Sequence, residues 1–325
     1  MSRRVHVVLA THRPEPGWLR QQVASILAQD GVDVTLDVTD DGSDEGTRTL
    51  LAQLLDADER CTWTSGPRVG SAANFGRGLA RAPRDVDAVL LADQDDVWDT
   101  DKARTLLGAL DDGHVLVHSD ARLIDEDGAP LPGTLFTHEG RDAEATSPGA
   151  LVVRNVVTGC TVALRPALLD VALPLPSLVG GPVHHDLWLA LCAASVGTVG
   201  TVPRPLLAYR QHAGNVVGAV AGYGRWAGVR DAAGAWALRQ RIARALADVA
   251  AAGRLPAPGP DVTAWLGARP ELASRRVLAR LAAEHPGMGP LVRTLRRGAL
   301  AHLARRAVRT PTARTTRMVR IGWRG

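Results

Sequence analysis

Through the first two hundred residues, short apolar runs alternate with longer segments of helical periodicity. Val5–Ala10 is apolar and β-rich, Val32–Val38 and Asp87–Ala92 repeat the pattern, and Thr62–Thr64 is a weaker member of the set. Between them, Gly17–Gln29 carries Trp18, Val23, Ile26 and Leu27 at helical spacing. Thr47–Leu55, Ser71–Arg81 and Lys102–Leu110 also read as helices, with Asp44 and Glu45 favouring the start of the first of these three. Strand and helix in turn, with connections this short, predict βαβ units and a mostly parallel α/β sheet. Runs such as VHVVLA and AVLLAD are apolar throughout rather than at alternate positions, so helices are expected on both faces of the sheet.

After Val115–Ser119 the pattern loosens. Asp125–Pro148, rich in Gly, Pro and acidic residues, reads as a long loop, and Ala150–Leu164 returns to β character. His184–Ser195 reads as a helix, Thr198–Val202 as extended chain and Pro203–Val217 as a loop. From Trp226 the composition turns to Ala, Arg and Leu. A helix bearing Trp236, Ile242, Leu246 and Val249 is followed by a break at Pro256–Pro260 and by basic helices over Ser274–Ala283 and Gly289–Val308. Two parts are therefore expected: an α/β body over 1–222 and a helical, Arg-rich C-terminal appendage over 223–325.

Charge sharpens that division. The net charge is only +4, yet residues 225–325 hold 20 arginines against five acidic residues, and residues 1–224 hold 18 basic against 29 acidic ones. An acidic body suits a cation, and a basic tail suits an anionic partner. Arg293, Arg296, Arg297, Arg305, Arg306 and Arg309 flank Leu291, Leu295, Leu300 and Leu303, the pattern of a basic amphipathic helix lying on an anionic membrane. A solvated helical face explains the same residues equally simply. No nucleic acid is expected, because the body would repel phosphates and no aromatic residues are interleaved for stacking. Lys102 is the only lysine, a bias that base composition of the gene accounts for. Three cysteines without a CxxC spacing argue against a disulfide framework or structural zinc. No apolar run approaches the roughly 18 residues of a spanning helix, and the N-terminal apolar stretch is too short for a secretion signal. The expected location is cytoplasmic, peripheral at the inner face of the cell membrane.

Three acidic sites fall at or just beyond the ends of predicted strands, where open α/β sheets bind their ligands. They are Asp40-Asp41-Gly42-Ser43, Asp93-Gln94-Asp95-Asp96 and His185-Asp186. Any one alone is better read as a turn or cap carboxylate; three together are not. The carboxylates of DQDD repel one another unless a cation neutralises them, which points to a hard divalent metal. Side chains two apart on an extended chain share a side, so Asp93 and Asp95 can reach one ion. Mg²⁺ or Mn²⁺ held by so few groups completes its shell with water and phosphate oxygens, which suggests a nucleoside diphosphate. GPRVGSAANFGRG has neither the Walker A nor the dinucleotide-binding spacing, arguing against a P-loop kinase and a dinucleotide oxidoreductase.

Taken in order, ATHR, DDGS, GSAANFGRG, LLADQDDVW, HSD, NVVTGC, HHDLW and YRQHAGNVVG resemble the family 2 glycosyltransferases with the GT-A fold. The resemblance runs from Val5 to Val217 and is nearest to the bacterial polysaccharide subgroup, rhamnosyltransferases among them. Two features depart from the common pattern: Thr11-His12-Arg13 replaces a TYN, and His185-Asp186 stands where two acidic residues are usual. The resemblance implies roles for individual residues. Thr11, Arg13, Asp41, Asn74 and Asp93 would bind the nucleotide, Asp41 accepting the ring N–H of uracil or thymine and Asp93 lying near the ribose. Asp95 would ligate the metal, joined by His212 from a loop that closes over the diphosphate. Arg210 would pair with phosphate. Asp186 would be the general base, with Trp98, Cys160 and His185 near the diphosphate or the acceptor. Trp98 and Cys160 are more simply read as buried packing residues. The implied activity is an inverting, metal-dependent transfer, with Mn²⁺ or Mg²⁺, of a sugar from a dTDP or UDP donor. Rhamnose is the sugar the subgroup suggests, and the acceptor would be a cell-surface glycan or lipid-linked glycan. The alternative is a catalytically silent GT-A-like module that binds nucleotide or glycan without depending on Asp186.

Overall fold

The computed structural model describes residues 2–177, 179, 183–214, 232–267 and 269–309. The chain opens with β1 (Arg3–Thr11), α1 (Pro16–Leu27), β2 (Val32–Asp40), α2 (Glu45–Leu55), β3 (Cys61–Ser65), α3 (Ser71–Arg81) and β4 (Ala88–Ala92). β5 (Val97–Trp98), α4 (Lys102–Asp111), β6 (Leu116–Ile124), β7 (Pro130–Thr134), α5 (Leu135–Glu139) and α6 (Pro148–Val153) follow. After a 3₁₀ turn over Gly159–Thr161 come β8 (Val162–Leu164), α7 (Leu168–Ala172), α8 (His185–Val196) and β9 (Val199–Arg210). The C-terminal part contributes α9 (Ala232–Ala251), α10 (Pro260–Thr263), α11 (Pro270–Glu284) and α12 (Gly289–Arg309).

One sheet runs β3-β2-β1-β4-β8-β6-β9-β5, with β7 added on β6. The long ladders, β1 with β2, β1 with β4, β2 with β3 and β6 with β9, are parallel. The antiparallel ladders of β8, β5 and β7 are short. The sheet is covered on both faces, as its uniformly apolar strands require. Val8, Ala10, Val89 and Leu91 face one apolar cluster, whereas Val7, Leu9, Leu90 and Ala92 face the other. The second cluster is filled by α1, α2 and α4. The first is filled by α3, α6, α7 and α8 and also by the C-terminal helices, through Trp236, Leu246, Trp265 and Leu278. Gly78 lets α3 lie directly on β1, because a Cβ there would meet Val8 Cγ1.

Polar contacts join the C-terminal helices to the body as well. Arg239 Nη2 donates to the Val153 carbonyl at 2.8 Å, Arg254 Nη2 to that of Val171 at 2.8 Å, and His285 Nδ1 lies 2.7 Å from Asp142 Oδ2. The 222/223 boundary drawn from composition lies outside the described residues, as do Val217 and Trp226. Among the described residues, no helix is long and apolar enough to cross a membrane.

Three segments differ from their sequence-based expectation. Asp125–Pro148 is not a plain loop: it holds β7 and α5, the latter closed by a capping box between Thr134 and Thr137. Its strand, PLPGT, is an exposed edge whose prolines hide any alternation. Ala150–Leu164 is extended only at its end. Ser147 caps Ala150 N, Pro148 opens the helix, and Val152 and Val153 are buried inside α6, so burial overrides their β preference. Pro203–Val217 begins as strand, because β9 runs on to Arg210. Pro203 falls in a gap of the ladder with β6, and Pro205 pairs with Asp120 between two register shifts, so the irregular stretch accommodates both prolines.

Candidate active site

The parallel ladders and the intervening antiparallel β8 make β1, β2, β4, β6 and β9 run the same way. Thr11, Asp41, Asp93 and Arg210 therefore stand at one edge of the sheet, beside the point where strand order reverses around β1. Thr11 is buried, and its hydroxyl donates to Gln94 Oε1 at 2.8 Å, the same oxygen that accepts the His12 N–H at 2.8 Å. Gln94, between the two carboxylates of DQD, thus ties the turn after β4 to the turn after β1. Arg13 is exposed at the mouth of this turn, with a left-handed φ of 46° uncommon for a side-chain-bearing residue. Its N–H donates to Ser43 Oγ at 2.8 Å, which helps hold the conformation.

Asp40 and Asp41 divide their work. Asp40 is fully buried and accepts from Ser43 N–H, Ser43 Oγ and Ser65 Oγ, so it builds the turn. Asp41 accepts the N–H groups of Val69 and Gly70 at 2.7 and 2.8 Å, with Arg77 Nη2 at 3.5 Å from Oδ1. Its carboxylate orders the glycine-bearing loop that follows β3. Asn74 is turned inward. Its Oδ1 accepts from Thr39 and Arg77, and its Nδ2 donates to the Thr39 and Thr11 carbonyls, so all four of its hydrogen-bonding positions are used inside the protein. It clamps α3 to β1 and β2 instead of facing a nucleotide.

The DQDD carboxylates split into two groups. Asp95 turns toward the end of β9, where its Oδ2 lies 2.7 Å from His212 Nε2. His212 Nδ1 accepts the Gly214 N–H at 3.1 Å. The imidazole packs against Trp18, with ring centroids 4.8 Å apart. Asp93 and Asp96 instead close on Cys160, each offering an atom within 4.8 Å of the others. Cys160 and Asp96 are completely buried. Burial and the facing carboxylates push the Cys160 thiol well above its ordinary pKa. Loss of hydration, then repulsion from Asp95 and Asp186, pushes the partly exposed Asp93 carboxyl up to about 7. Among the described residues, the cluster whose metal-binding atoms lie within reach of one another is Asp93, Asp96 and Cys160, while Asp95 and His212 form a separate pair on the same edge.

Asp186 lies in the first turn of α8, where the helix dipole favours negative charge. Its Oδ1 accepts from Asn155 Nδ2 at 3.2 Å and from the Leu187 N–H at 2.6 Å. Among the described residues, Oδ2 carries no hydrogen bond. His185 is buried against Phe75 with ring centroids 3.9 Å apart, and burial lowers its pKa to about 4, so the ring is neutral. Gly159 is required beside it, since a Cβ there would sit 2.7 Å from His185 Nε2.

A further expected role is corrected by position. Arg210 is buried, and its guanidinium is spent on the Asp95, Asp125 and Glu126 carbonyls and on Gln21 Oε1, so it fastens the acidic turn to β9 and does not pair with phosphate. Trp98 is a packing anchor, 3% exposed beneath the site, with the Lys102 ammonium 3.5 Å from its ring centroid. Two further residues of the site escaped sequence reasoning. Asn155 was visible only as part of NVVTGC, and Gln94 only as the neutral member of DQDD.

The sequence pattern described as glycosyl transferase family 2 matches residues 7–169, half of the chain and all of β2 through β8. The chain belongs to this family. Two curated relatives agree: the succinoglycan biosynthesis protein ExoW of Rhizobium meliloti is 38% identical over 96 residues, and an uncharacterized glycosyltransferase of Nostoc sp. is 25% identical over 209. These matches take in 29% and 61% of this chain and 30% and 62% of the relatives, less than two thirds of either. Among solved structures, TarS of S. aureus in complex with UDP-GlcNAc superposes with a TM-score of 0.54 at 12% identity, covering 93% of this chain and 92% of that one. The mannosyltransferase PcManGT of Pyrobaculum calidifontis, solved with GDP-Man and Mn²⁺, gives 0.51 at 19% identity, covering 94% and 88%. At such identities the likeness is one of fold, and it establishes the family 2 chain as a GT-A-like α/β protein with added C-terminal helices.

Proposed function

We propose that this family 2 protein transfers a sugar from a nucleoside diphosphate donor to a hydroxyl of a glycan, with inversion at the anomeric carbon. The observation that carries the reading is the pairing of two differently equipped acidic groups at one sheet edge. Asp95 meets His212 at 2.7 Å on the edge that also carries Asp93, a set that would hold a divalent cation, while Asp186 keeps a carboxylate oxygen without a hydrogen bond among the described residues. Asp186 takes the proton of the acceptor hydroxyl as that oxygen bonds to the anomeric carbon. The bond from that carbon to the diphosphate breaks on the opposite face, and one displacement inverts the centre. A divalent cation, Mn²⁺ or Mg²⁺, would act as a Lewis acid for the charge that grows on the leaving diphosphate, held by Asp93, Asp95 and His212. Asn155 keeps Asp186 aimed, and Asp41 keeps the glycine-bearing loop folded against the nucleotide side of the crevice.

The donor base is proposed to be uracil or thymine, with rhamnose as the sugar suggested by the subgroup of the DQDDVW and TGC motifs. A panel of UDP, dTDP, GDP, CMP and ADP, each with Mn²⁺, Mg²⁺ or EDTA, tests this by thermal shift. UDP or dTDP is expected to raise the melting temperature, with the rise lost in EDTA; no metal-linked shift with any nucleotide would leave the silent binding module as the better account. Asp95→Ala is expected to make nucleotide binding indifferent to the metal, and unchanged metal affinity would remove Asp95 from the site.

All of the site residues lie in 1–222, which we take as the catalytic unit, and 223–325 as the part that meets an anionic surface. The apolar side of α12 is used internally, with Leu295 buried in the first cluster and Leu291 packed against it. Its outward residues, Arg293, Arg296 and Arg297, are exposed and have no ion pair among the described residues, beside a Leu300 that is 58% exposed. Surface cationic charge of this kind holds a protein at the inner, anionic leaflet, where a lipid-linked glycan acceptor would lie. Replacing these three arginines with serine is expected to abolish salt-sensitive pelleting with phosphatidylserine vesicles; equal pelleting of variant and parent would refute the contact.

A further inference from the structure

The strap over residues 155–158, which brings Asn155 up to Asp186, is gripped by one arginine from a different part of the chain. Arg141 stands just past the end of α5. Gly140 turns the chain there with a φ of 58°, and the Arg141 N–H returns to the Phe136 carbonyl at 2.9 Å, so the side chain leaves the helix in a fixed direction. Its Nε donates to Glu139 Oε2 at 2.8 Å, with the two side chains only 10% and 7% exposed. The far end of the guanidinium reaches the strap: Nη1 donates to the Val156 carbonyl at 2.9 Å and to Thr158 Oγ1 at 2.6 Å. These two acceptors bracket Val157, whose N–H donates to Asn155 Oδ1 at 3.0 Å. That bond fixes the amide, because with Oδ1 turned back on the strap it is Nδ2 that faces Asp186 Oδ1, at 3.2 Å. Gly159, the next residue, lies against the same pair, since a Cβ there would come within 2.7 Å of His185 Nε2 and 3.8 Å of Asp186 Cβ. The grip is mutual: Arg154, just before the strap, donates to the Glu139 and Gly140 carbonyls at 2.8 and 2.9 Å. A buried ion pair adds little net stability, because lost hydration offsets the attraction. What the rigid fork of a guanidinium supplies is direction.

We infer that Arg141 is a positioning residue for sugar transfer: by fixing Val156 and Thr158 it sets the amide of Asn155, and through that amide the carboxylate of Asp186. One oxygen of the base is thereby held, and the other is left to meet the acceptor hydroxyl. Arg141 acts through Asn155 and not on the reacting atoms. Its effect on transfer rests on the reading of Asp186 as the base; its hold on residues 155–158 does not.

The test is a cycle on the full chain with Arg141→Lys, Thr158→Val, Asn155→Ala and the Arg141→Lys/Asn155→Ala pair. Lysine keeps the charge beside Glu139 and loses the fork. Valine keeps the volume, removes one acceptor on the strap and leaves the ion pair intact. The rate is read as dTDP released from dTDP-rhamnose, the donor proposed above, with alkyl glycosides as acceptors, beside nucleotide affinity and backbone hydrogen exchange over 155–158. Arg141→Lys is expected to slow release by roughly 10- to 100-fold, the scale of a misplacement of about 1 Å, and Thr158→Val by less, with nucleotide affinity as in the parent. In the Asn155→Ala background Arg141→Lys should slow release no further, because the amide it sets is gone. Effects that multiply, or an Arg141→Lys variant as fast as the parent, overturn the inference. Exchange over 155–158 should quicken in Arg141→Lys, and unchanged exchange also overturns it. An arginine that only stabilises the fold would lower the melting temperature and leave the rate per nucleotide-binding molecule unaltered, which refutes the positioning role. If Arg141→Lys yields no folded protein, Thr158→Val takes its place in the cycle with Asn155→Ala under the same criteria. Full activity in Asp186→Asn, or a parent that releases no dTDP, defeats the reading of the base separately, and the exchange comparison still decides whether Arg141 holds the strap.

Discussion

Asp186→Asn is expected to lower the rate of sugar transfer by roughly 10²–10⁴, the usual contribution of a positioned general base, while nucleotide affinity stays near that of the parent. The asparagine keeps the hydrogen-bond acceptor that Asn155 and the Leu187 N–H use, so the first turn of α8 should survive the change. It loses the lone pair that takes a proton. Single-turnover transfer, read beside nucleotide binding by calorimetry, separates the two effects. Full activity in the variant would remove the base from Asp186. Loss of activity and binding together would make it a structural carboxylate, a role its place in the first turn also permits. The same measurement distinguishes a transferase from a silent module, which would bind nucleotide with or without Asp186.

A chain cut after residue 231 is expected not to fold. Its missing helices bring Trp236, 1% exposed, and Trp265, fully buried, into the cluster that also holds Leu151 and Trp188. The two indoles lie 4.8 Å apart, and Gly298 lets α12 cross α9 closely, since a Cβ there would meet the Ala232 carbonyl. Removing one such side chain from a core typically costs about 3–5 kcal/mol, and a whole domain is stable by only about 5–15 kcal/mol. Stripping several at once exposes the face of α6 and α8 that they cover. Expression of the shortened chain, followed by circular dichroism and melting, reads the outcome directly. A soluble, cooperatively melting fragment that still binds nucleotide would mean that residues 1–231 hold their core alone.

The first half of the fold was legible because its strands are buried on both faces and its helices have caps written in the sequence. Val5–Ala10 and Asp87–Ala92 could be nothing but interior strands, and Asp44 caps α2 through the Thr47 N–H at 2.9 Å. In the second half α8, α9, α11 and α12 were legible too, but other elements were not, for a different reason. β7, α6 and the far end of β9 are decided by neighbours: β6 recruits an exposed proline-bearing strand, the first cluster buries a valine-rich segment as a helix, and a shift in register lets β9 run through two prolines. Short elements of that kind gain their stability from tertiary contacts, which local pattern does not contain.

The candidate site divides in the same way. By itself the sequence determined which acidic residues fall at strand ends and which family their order resembles, because strand polarity and the order of motifs are local properties. Only the tertiary structure decided what each of them does. Asp40 and Asp41 look alike as neighbours in DDGS, yet one builds a turn and the other orders a loop. Arg210 and His212 stand two residues apart, yet one is spent on backbone carbonyls and the other meets Asp95. Lys102 looked like a trace of base composition until the fold brought its ammonium to the Cys160 carbonyl, 58 residues along the chain. Hydrogen bonds and buried charges join residues that chain distance keeps apart, so their pairing becomes visible only when the sheet has brought its edge together.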